Sequence, residues 1–251
     1  MNACFVKLKN RALIHLEGLD RHHFLQGLVT NDIDKLTPTT PLYACLLTPQ
    51  GKFLYDFFIY EGDDFTLLDC EGGARAESLY KRLNMYRLRM DVQISIEDNV
   101  PVYAVFGKAI GLPDPRHEAL GYRSFEKPDL PEEPFETWDK KRIELCVPDG
   151  SRDLVPEKST MDEGNMDGLN AISYDKGCYV GQEITARMHY RGLGKKHLQT
   201  VYLSSRAQPR DLNPSQNEQI PPLLTVGRDD NDIELRSSCG DMGIALVRRN
   251  A

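Results

Sequence analysis

The chain has 251 residues, 27% charged and 40% hydrophobic, with a net charge of −7. That suits a globular protein of one large domain or two to three small ones. No stretch approaches the ~20 consecutive apolar residues of a membrane span, and the acidic balance argues against tight nucleic-acid binding over most of the surface. Six cysteines, at 4, 45, 70, 146, 178 and 239, show no C-x-x-C and no metal-type pairing with histidine. This argues against a structural zinc site and against a self-contained iron–sulfur cluster. Cys45, Cys70 and Cys146 sit in apolar runs and read as core. The N-terminal residues 1–7 carry no signal-peptide hydrophobic region, so a cytoplasmic location is expected.

In chain order, strands are predicted over residues 4–7 and 13–17, then a helix over 20–28 with Asp20 as N-cap and Phe24, Leu25 and Leu28 on one face. Runs at 42–47, 53–60 and 65–69, separated by Pro49-Gln50-Gly51 and Gly62-Asp63, predict an antiparallel meander. Helical spacing through Ala76, Leu79, Tyr80 and Leu83 covers 73–87, and strands return at 92–96 and 102–106. Residues 111–134 hold several prolines and charges and read as a loop or domain connection outside the core. A helix is predicted around Trp138, Ile143 and Leu145. Short strands follow at 197–203, 223–226, 233–235 and 242–247, with a polar loop over 204–222. Strands and helices without regular βαβ alternation imply an α+β fold.

The run Lys176-Gly-Cys-Tyr-Val-Gly-Gln-Glu183 sets one thiol between a glycine and an aromatic residue, just before a predicted helix over 182–191. Near the positive end of that helix, with Lys176 two residues away, the Cys178 thiolate is favoured over the thiol. The plainer alternative is a glycine-punctuated turn with an inert cysteine. Residues 175–197 hold five Lys/Arg against two acids, a local +3 on an acidic chain. They suit an anionic ligand, or form a solvated helix face.

This run, followed by ITARMHYRGLGKKHL, resembles the signature of the YgfZ family of folate-binding, iron–sulfur-maintenance proteins, which is related to the T protein of the glycine cleavage system. Segments such as Phe24-Leu-Gln-Gly-Leu-Val-Thr-Asn-Asp32 and Tyr43-Ala-Cys-Leu-Leu-Thr-Pro-Gln-Gly-Lys52 agree in order, over roughly residues 5 to 200. The resemblance implies a T-protein-like folate-binding fold: a folate-binding region over 1–196, a ferredoxin-like insertion at about 42–98, and a short C-terminal β-barrel over 197–251.

It also implies a function: a folate-binding factor supporting assembly or repair of [4Fe–4S] enzymes, including those that modify tRNA. Cys178 would be the working thiol and Lys176 its electrostatic partner, with client enzymes or cluster carriers as partners. Tetrahydrofolate would be the cofactor. Asp56 matches the position where related aminomethyltransferases place a folate-contacting aspartate, although those enzymes usually carry two consecutive acids and Phe57 follows here. Glu157 resembles the position that holds the pterin ring, through two parallel N–H bonds. Gln26, at the end of the first helix, would line the same cleft, Gln182 opens the last helix, and Arg187 and Arg191 would meet the folate's glutamate tail. Each has a plain alternative: helix-stop chemistry for the Gln26 region, a surface acid for Glu157, and an i,i+4 pair with Glu183 for Arg187. The rival reading is a tetrahydrofolate-dependent aminomethyltransferase. The sequence alone leaves open whether folate is chemically turned over.

Overall fold

The computed structural model describes residues 2–192, 194–203, 224–225 and 233–249. Strands β1 (Cys4–Lys7) and β2 (Arg11–Glu17) precede the short helix α1 (Arg21–Gln26) and a 3-10 turn at Ile33–Lys35. The predicted meander follows as β3 (Leu42–Leu47), β4 (Phe53–Glu61) and β5 (Phe65–Glu71), then α2 (Ala74–Arg87), β6 (Gln93–Asp98) and β7 (Tyr103–Phe106). Short strands β8 (Leu112–Pro113), β9 (Tyr122–Ser124) and β10 (Glu132–Glu133) lead into α3 (Phe135–Glu144). The chain closes with α4 (Gln182–Arg191), β11 (Lys196–Tyr202), β12 (Leu224–Thr225), β13 (Ile233–Cys239) and β14 (Met242–Arg248). The polar loop predicted over 204–222 lies outside the described residues. Asp20 precedes α1 as expected, but its carboxylate caps nothing there and accepts the Asp91 amide at 2.8 Å.

Strands β6-β2-β5-β4-β3 form one sheet, every neighbour antiparallel. Without β3 at its edge, the order β6-β2-β5-β4 with α1 and α2 as crossovers is the ferredoxin-like arrangement. One face of β2, through Ala12, Ile14 and Leu16, packs under Phe24 and Leu25 of α1 and Leu79 and Leu83 of α2. The other face, including Tyr43, Cys45, Phe58 and Leu67, builds a second core with Ile143, Met166, Tyr179, Leu198 and Ile244. Burial on both faces is why β3 is apolar throughout and shows no alternation. A bulge opposite Leu46 and Leu47 breaks the alternation of β4. It puts Leu54 with the helix-side core, while Phe58 and Tyr60 face the second core.

The second sheet runs β10-β1-β7-β9-β8. It overturns the reading of 111–134 as a connection outside the core, since three of its strands come from that segment. Pro113 is tolerated because β8 is an edge strand, and Asp114, Arg116 and Arg123 are buried. Of these, Arg123 of β9 joins the two sheets. Asp69 of β5 accepts from Arg11 Nε at 2.7 Å and from Arg123. Arg116 clasps Asp114 through two bonds of 3.0 and 2.8 Å. The Arg123 guanidinium lies 3.8 Å from the Phe58 ring centroid. The described C-terminal strands form a sheet in the order β12-β11-β14-β13. Fully buried Arg142 of α3 ties it down, donating to Asp139 and Asp153 at 2.7 Å each and to Ser237 of β13 at 2.9 Å.

Burial alone would raise the Asp69 pKa, but Arg11 and Arg123 outweigh it and hold it below the usual carboxylate value. A depressed folded-state pKa contributes stability that is complete above the unfolded value of about 3.9 and is lost as pH falls through the folded one. Asp69→Asn strands two buried guanidinium groups and is expected to cost roughly 3–5 kcal/mol in urea denaturation at pH 7. The deficit should shrink as pH falls from about 4 through the lower folded pKa, where wild type loses the same charge.

Candidate functional site

The motif loop is held from below and open above. Lys176 is buried, and its ammonium donates to the main-chain carbonyls of Gln26, Val29 and Asn31 at 2.8, 2.7 and 2.6 Å. Tyr179 is buried too, its ring centroid 5.1 Å from the Lys176 nitrogen. Between these anchors, Cys178 is exposed; Cys4, Cys45 and Cys70 are buried, and Cys146 and Cys239 half-buried. A Cβ placed on Gly177 would meet nothing within 4 Å, so the thiol's N-terminal side faces open space. Gly181 caps α4 with φ +84°, and a Cβ there would meet the Thr48 carbonyl oxygen at 2.6 Å. The β3–β4 turn and the start of α4 touch backbone to backbone, which only glycine permits.

Burial pulls the Lys176 pKa down to about 8, while the three carbonyls favour its protonated form. With its N–H donors taken by that cradle, Lys176 positions the loop. Gln26 is likewise engaged: its amide donates to Asp32 at 2.7 Å and accepts the Ile33 N–H at 2.8 Å.

Asp56 accepts the Tyr43 hydroxyl at 2.8 Å. Burial raises its pKa, countered in part by that bond and by Arg11. It lines a narrow chamber with Arg11, Arg116, Arg123 and Trp138, of about 10 Å³, the scale of one water molecule. The Trp138 indole N–H is buried with no hydrogen-bond partner among the described residues. Glu157 is exposed, with φ +64°, its amide bonded to the Phe53 carbonyl at 2.7 Å. Gln182 begins α4 half-buried, and Arg187 and Arg191 are exposed on the same helix. Arg187 pairs with Glu183 at 2.9 Å. The chamber of Asp56 thus includes neither Cys178, Glu157 nor the α4 residues.

A larger cavity, about 200 Å³, lies between α4 and the 161–174 segment. The Tyr174 ring stacks on His189 with centroids 3.9 Å apart, and His189 Nδ1 lies 3.2 Å from Asp167. Burial raises the Tyr174 phenol pKa, with the Asp167 charge adding to it. Asp162 binds Arg249 through Oδ1 at 3.2 Å, and its Oδ2 is buried with no hydrogen-bond partner among the described residues. An unpaired acceptor, a second carboxylate and a flat aromatic face fit the N–H edge and ring of a pterin. Sequence reasoning missed Asp162 and Asp167. The only signal was the density of Asp, Asn and Gly over residues 160–170, which has no periodicity to read.

No protein-family model matches the chain. Sequence comparison finds the mitochondrial iron–sulfur cluster assembly factor IBA57 of Mus musculus, 30% identical, covering 98% of this chain and 77% of that protein. The Homo sapiens counterpart gives the same three figures, 30%, 98% and 77%. The homolog of Pyricularia oryzae is 32% identical over 98% of this chain and 72% of its own. The chain belongs to the family of IBA57 iron–sulfur cluster assembly factors. Among solved structures, the glycine cleavage system aminomethyltransferase T of Bartonella henselae aligns with a TM-score of 0.67 at 14% identity, over 98% of this chain and 78% of that one. At that identity the likeness shows the fold alone, and the T-protein-like architecture expected from the motif is the one observed. The cytoplasmic expectation is corrected, because these IBA57 relatives are mitochondrial proteins.

Lys176→Met would orphan three carbonyls, each costing roughly 1–3 kcal/mol. A loss of at least about 3 kcal/mol is expected by denaturation, with faster amide exchange at residues 26–31. Exchange confined to the Cys178 loop would show that the cradle does not support that segment.

Proposed function

We propose that this protein is a mitochondrial, folate-binding factor that supports assembly or repair of [4Fe–4S] enzymes, tRNA-modifying ones among them. The observation that carries the reading is the presentation of Cys178, an exposed thiol between two buried anchors in a member of the IBA57 family. Iron in such clusters is bound by cysteine thiolates. One thiolate supplies one ligand of the four a [4Fe–4S] cluster takes, so a carrier or client enzyme would supply the rest, and the exposure of Cys178 supports such a meeting.

The folate is assigned to the cavity beside α4. Asp162 and Asp167 would accept the pterin's amino and ring N–H groups, and the Tyr174–His189 pair would cover its face. Gln182, Arg187 and Arg191 would serve the glutamate tail from the exposed side of α4. Asp56 and Glu157 lie outside this cavity's lining. When bound, a reduced folate would supply a one-carbon carrier and an oxidisable pterin; the chain's part is to hold and orient it.

The T-protein-like fold favours a second reading, aminomethyl transfer. Against it stands Phe57, fully buried in the helix-side core, where those enzymes usually offer a second acid. No turnover of an aminomethylated lipoyl carrier is expected; robust turnover would overturn the proposal.

Cys178→Ala should fold with a stability change of ~1 kcal/mol or less, as for an exposed loop residue. It should fail to restore [4Fe–4S] enzyme activity and methylthiolated tRNA in a deletion strain, and full complementation would refute the thiol's role. Separately, calorimetry should show binding of tetrahydrofolate that strengthens by ~0.2–1 kcal/mol per added tail glutamate and weakens with salt. Asp162→Asn should weaken it at least tenfold, whereas an unchanged affinity would move the pterin elsewhere.

A further inference from the structure

Cys178 lies on a loop whose two stems are walls of one cavity. Ile172 and Tyr174, just before the motif, and Thr185, Met188 and His189 of α4, just after it, all line the space of about 200 Å³. The three α4 residues fall at i, i+3 and i+4, on one face of the helix. The stems meet where the Tyr174 ring stacks on His189, with centroids 3.9 Å and planes 22° apart. The chain between those two rings is thereby closed at its base, and the thiol sits inside the closed stretch.

That stretch has little main-chain support of its own. Among the described residues, no N–H from Lys176 to Gly181 donates to a main-chain carbonyl. The loop is held instead by Lys176, by the buried Tyr179 and by the contact at Gly181, and the last of these is shared with the cavity. Thr185 donates from the cavity wall to the Gly181 carbonyl at 3.2 Å. Gly51 lines the same cavity, and a Cβ on it would meet the Gly181 carbonyl oxygen at 3.0 Å and the Ile184 Cβ at 3.1 Å. A ligand filling the cavity therefore touches both stems and the turn beneath them at once. Its binding opposes their separation, and the loop between them loses freedom in the same event.

We propose that a ligand in the cavity beside α4 orders the Cys178 loop through the Tyr174–His189 clasp, so that occupancy of the cavity governs how the thiol is presented. The ligand is the reduced folate assigned to that cavity above, and this regulation rests on that reading; the clasp itself does not.

The test uses the full chain labelled with ¹⁵N and reads amide order parameters, for which rigid backbone gives ~0.85 and flexible backbone less than ~0.6. Tetrahydrofolate, at a concentration that calorimetry shows to be saturating, should raise the values at Gly177 and Cys178 by about 0.1 or more on that scale. Neither residue lines the cavity. Ala12 and Ile14 of β2 serve as controls and should not move. Without ligand, His189→Ala should lower the two loop values by a similar step. Alanine is the better helix former, so that loss would not come from a weaker α4. His189→Phe keeps a ring against Tyr174 and should restore the values, although it gives up the contact with Asp167. Unchanged order at Gly177 and Cys178 in saturated protein would overturn the coupling and leave the folate assignment standing. Calorimetry without any binding would end the folate reading and the ligand's part in the proposal with it. His189→Ala then decides the clasp alone, and unchanged loop values in that variant overturn it.

Discussion

The ammonium of Lys176, seated on three main-chain carbonyls, is the contact on which the motif loop depends. Taking a charged amine out of water costs several kcal/mol unless hydrogen bonds replace the lost solvation, and here each donor finds a carbonyl within 2.8 Å. Those carbonyls belong to a segment that is itself tied down. Thr30 donates to the Ala171 carbonyl at 2.6 Å, and the Asn31 amide bridges the Tyr43 and Asn170 carbonyls at 2.8 and 2.7 Å. The position of the thiol is therefore set by β3 and by the 170–173 segment together. A turn near residue 30 and a loop near residue 176 behave as one unit.

That unit explains why a short motif carries so much specificity. Lys176 and Tyr179 point inward, Cys178 outward, and Gly181 must sit against the Thr48 carbonyl. Each residue type answers a different requirement: a long cation, a freely presented sulfur, an aromatic anchor and a residue without Cβ. The fold supplies the partners from distant parts of the chain, so none of these requirements is local.

The same distinction decides what could be read from sequence. Elements bounded by local chemistry were legible: β3 ends where its apolar run meets Thr48-Pro49, and α4 runs between two left-handed glycines, Gly181 and Gly192. The core role of Cys45 and Cys70 was legible from their apolar neighbours. Nonlocal pairing was not. The strands within 111–134 are two or three residues long and exist because β1 and β7 offer edges to β10 and β9, and β9 in turn to β8. The bulge in β4 is a property of its pairing with β3 and is invisible in the run Phe53-Leu54-Tyr55. Lys176 read as a partner for its neighbour Cys178, because sequence shows proximity along the chain and hides the carbonyls about 150 positions earlier. The cavity beside α4 had no signature for the same reason: Asp162, Tyr174 and His189 meet only after the helix docks.

The junctions between the sheets are built from arginine and aspartate as much as from apolar contact. Arg123 of β9 joins the β1–β7 sheet to the ferredoxin-like sheet through Asp69, which Arg11 also holds, Asp114 pairs with Arg116 and faces Arg123, and Arg142 joins α3 to the C-terminal sheet through Asp153 and Ser237. Such pairs add little net stability over well-packed hydrophobic residues, because desolvation offsets most of the attraction. What they add is direction. A guanidinium presents its donors in a rigid plane, so a clasped pair fixes an angle that an apolar contact leaves loose. In the proposed function the exposed thiol meets ligands supplied by another molecule, and the orientation of the loop relative to the rest of the surface would be part of that function. The buried Arg–Asp junctions hold that orientation while Lys176 holds the height of the loop, and the two constraints together leave Cys178 exposed but not free to wander.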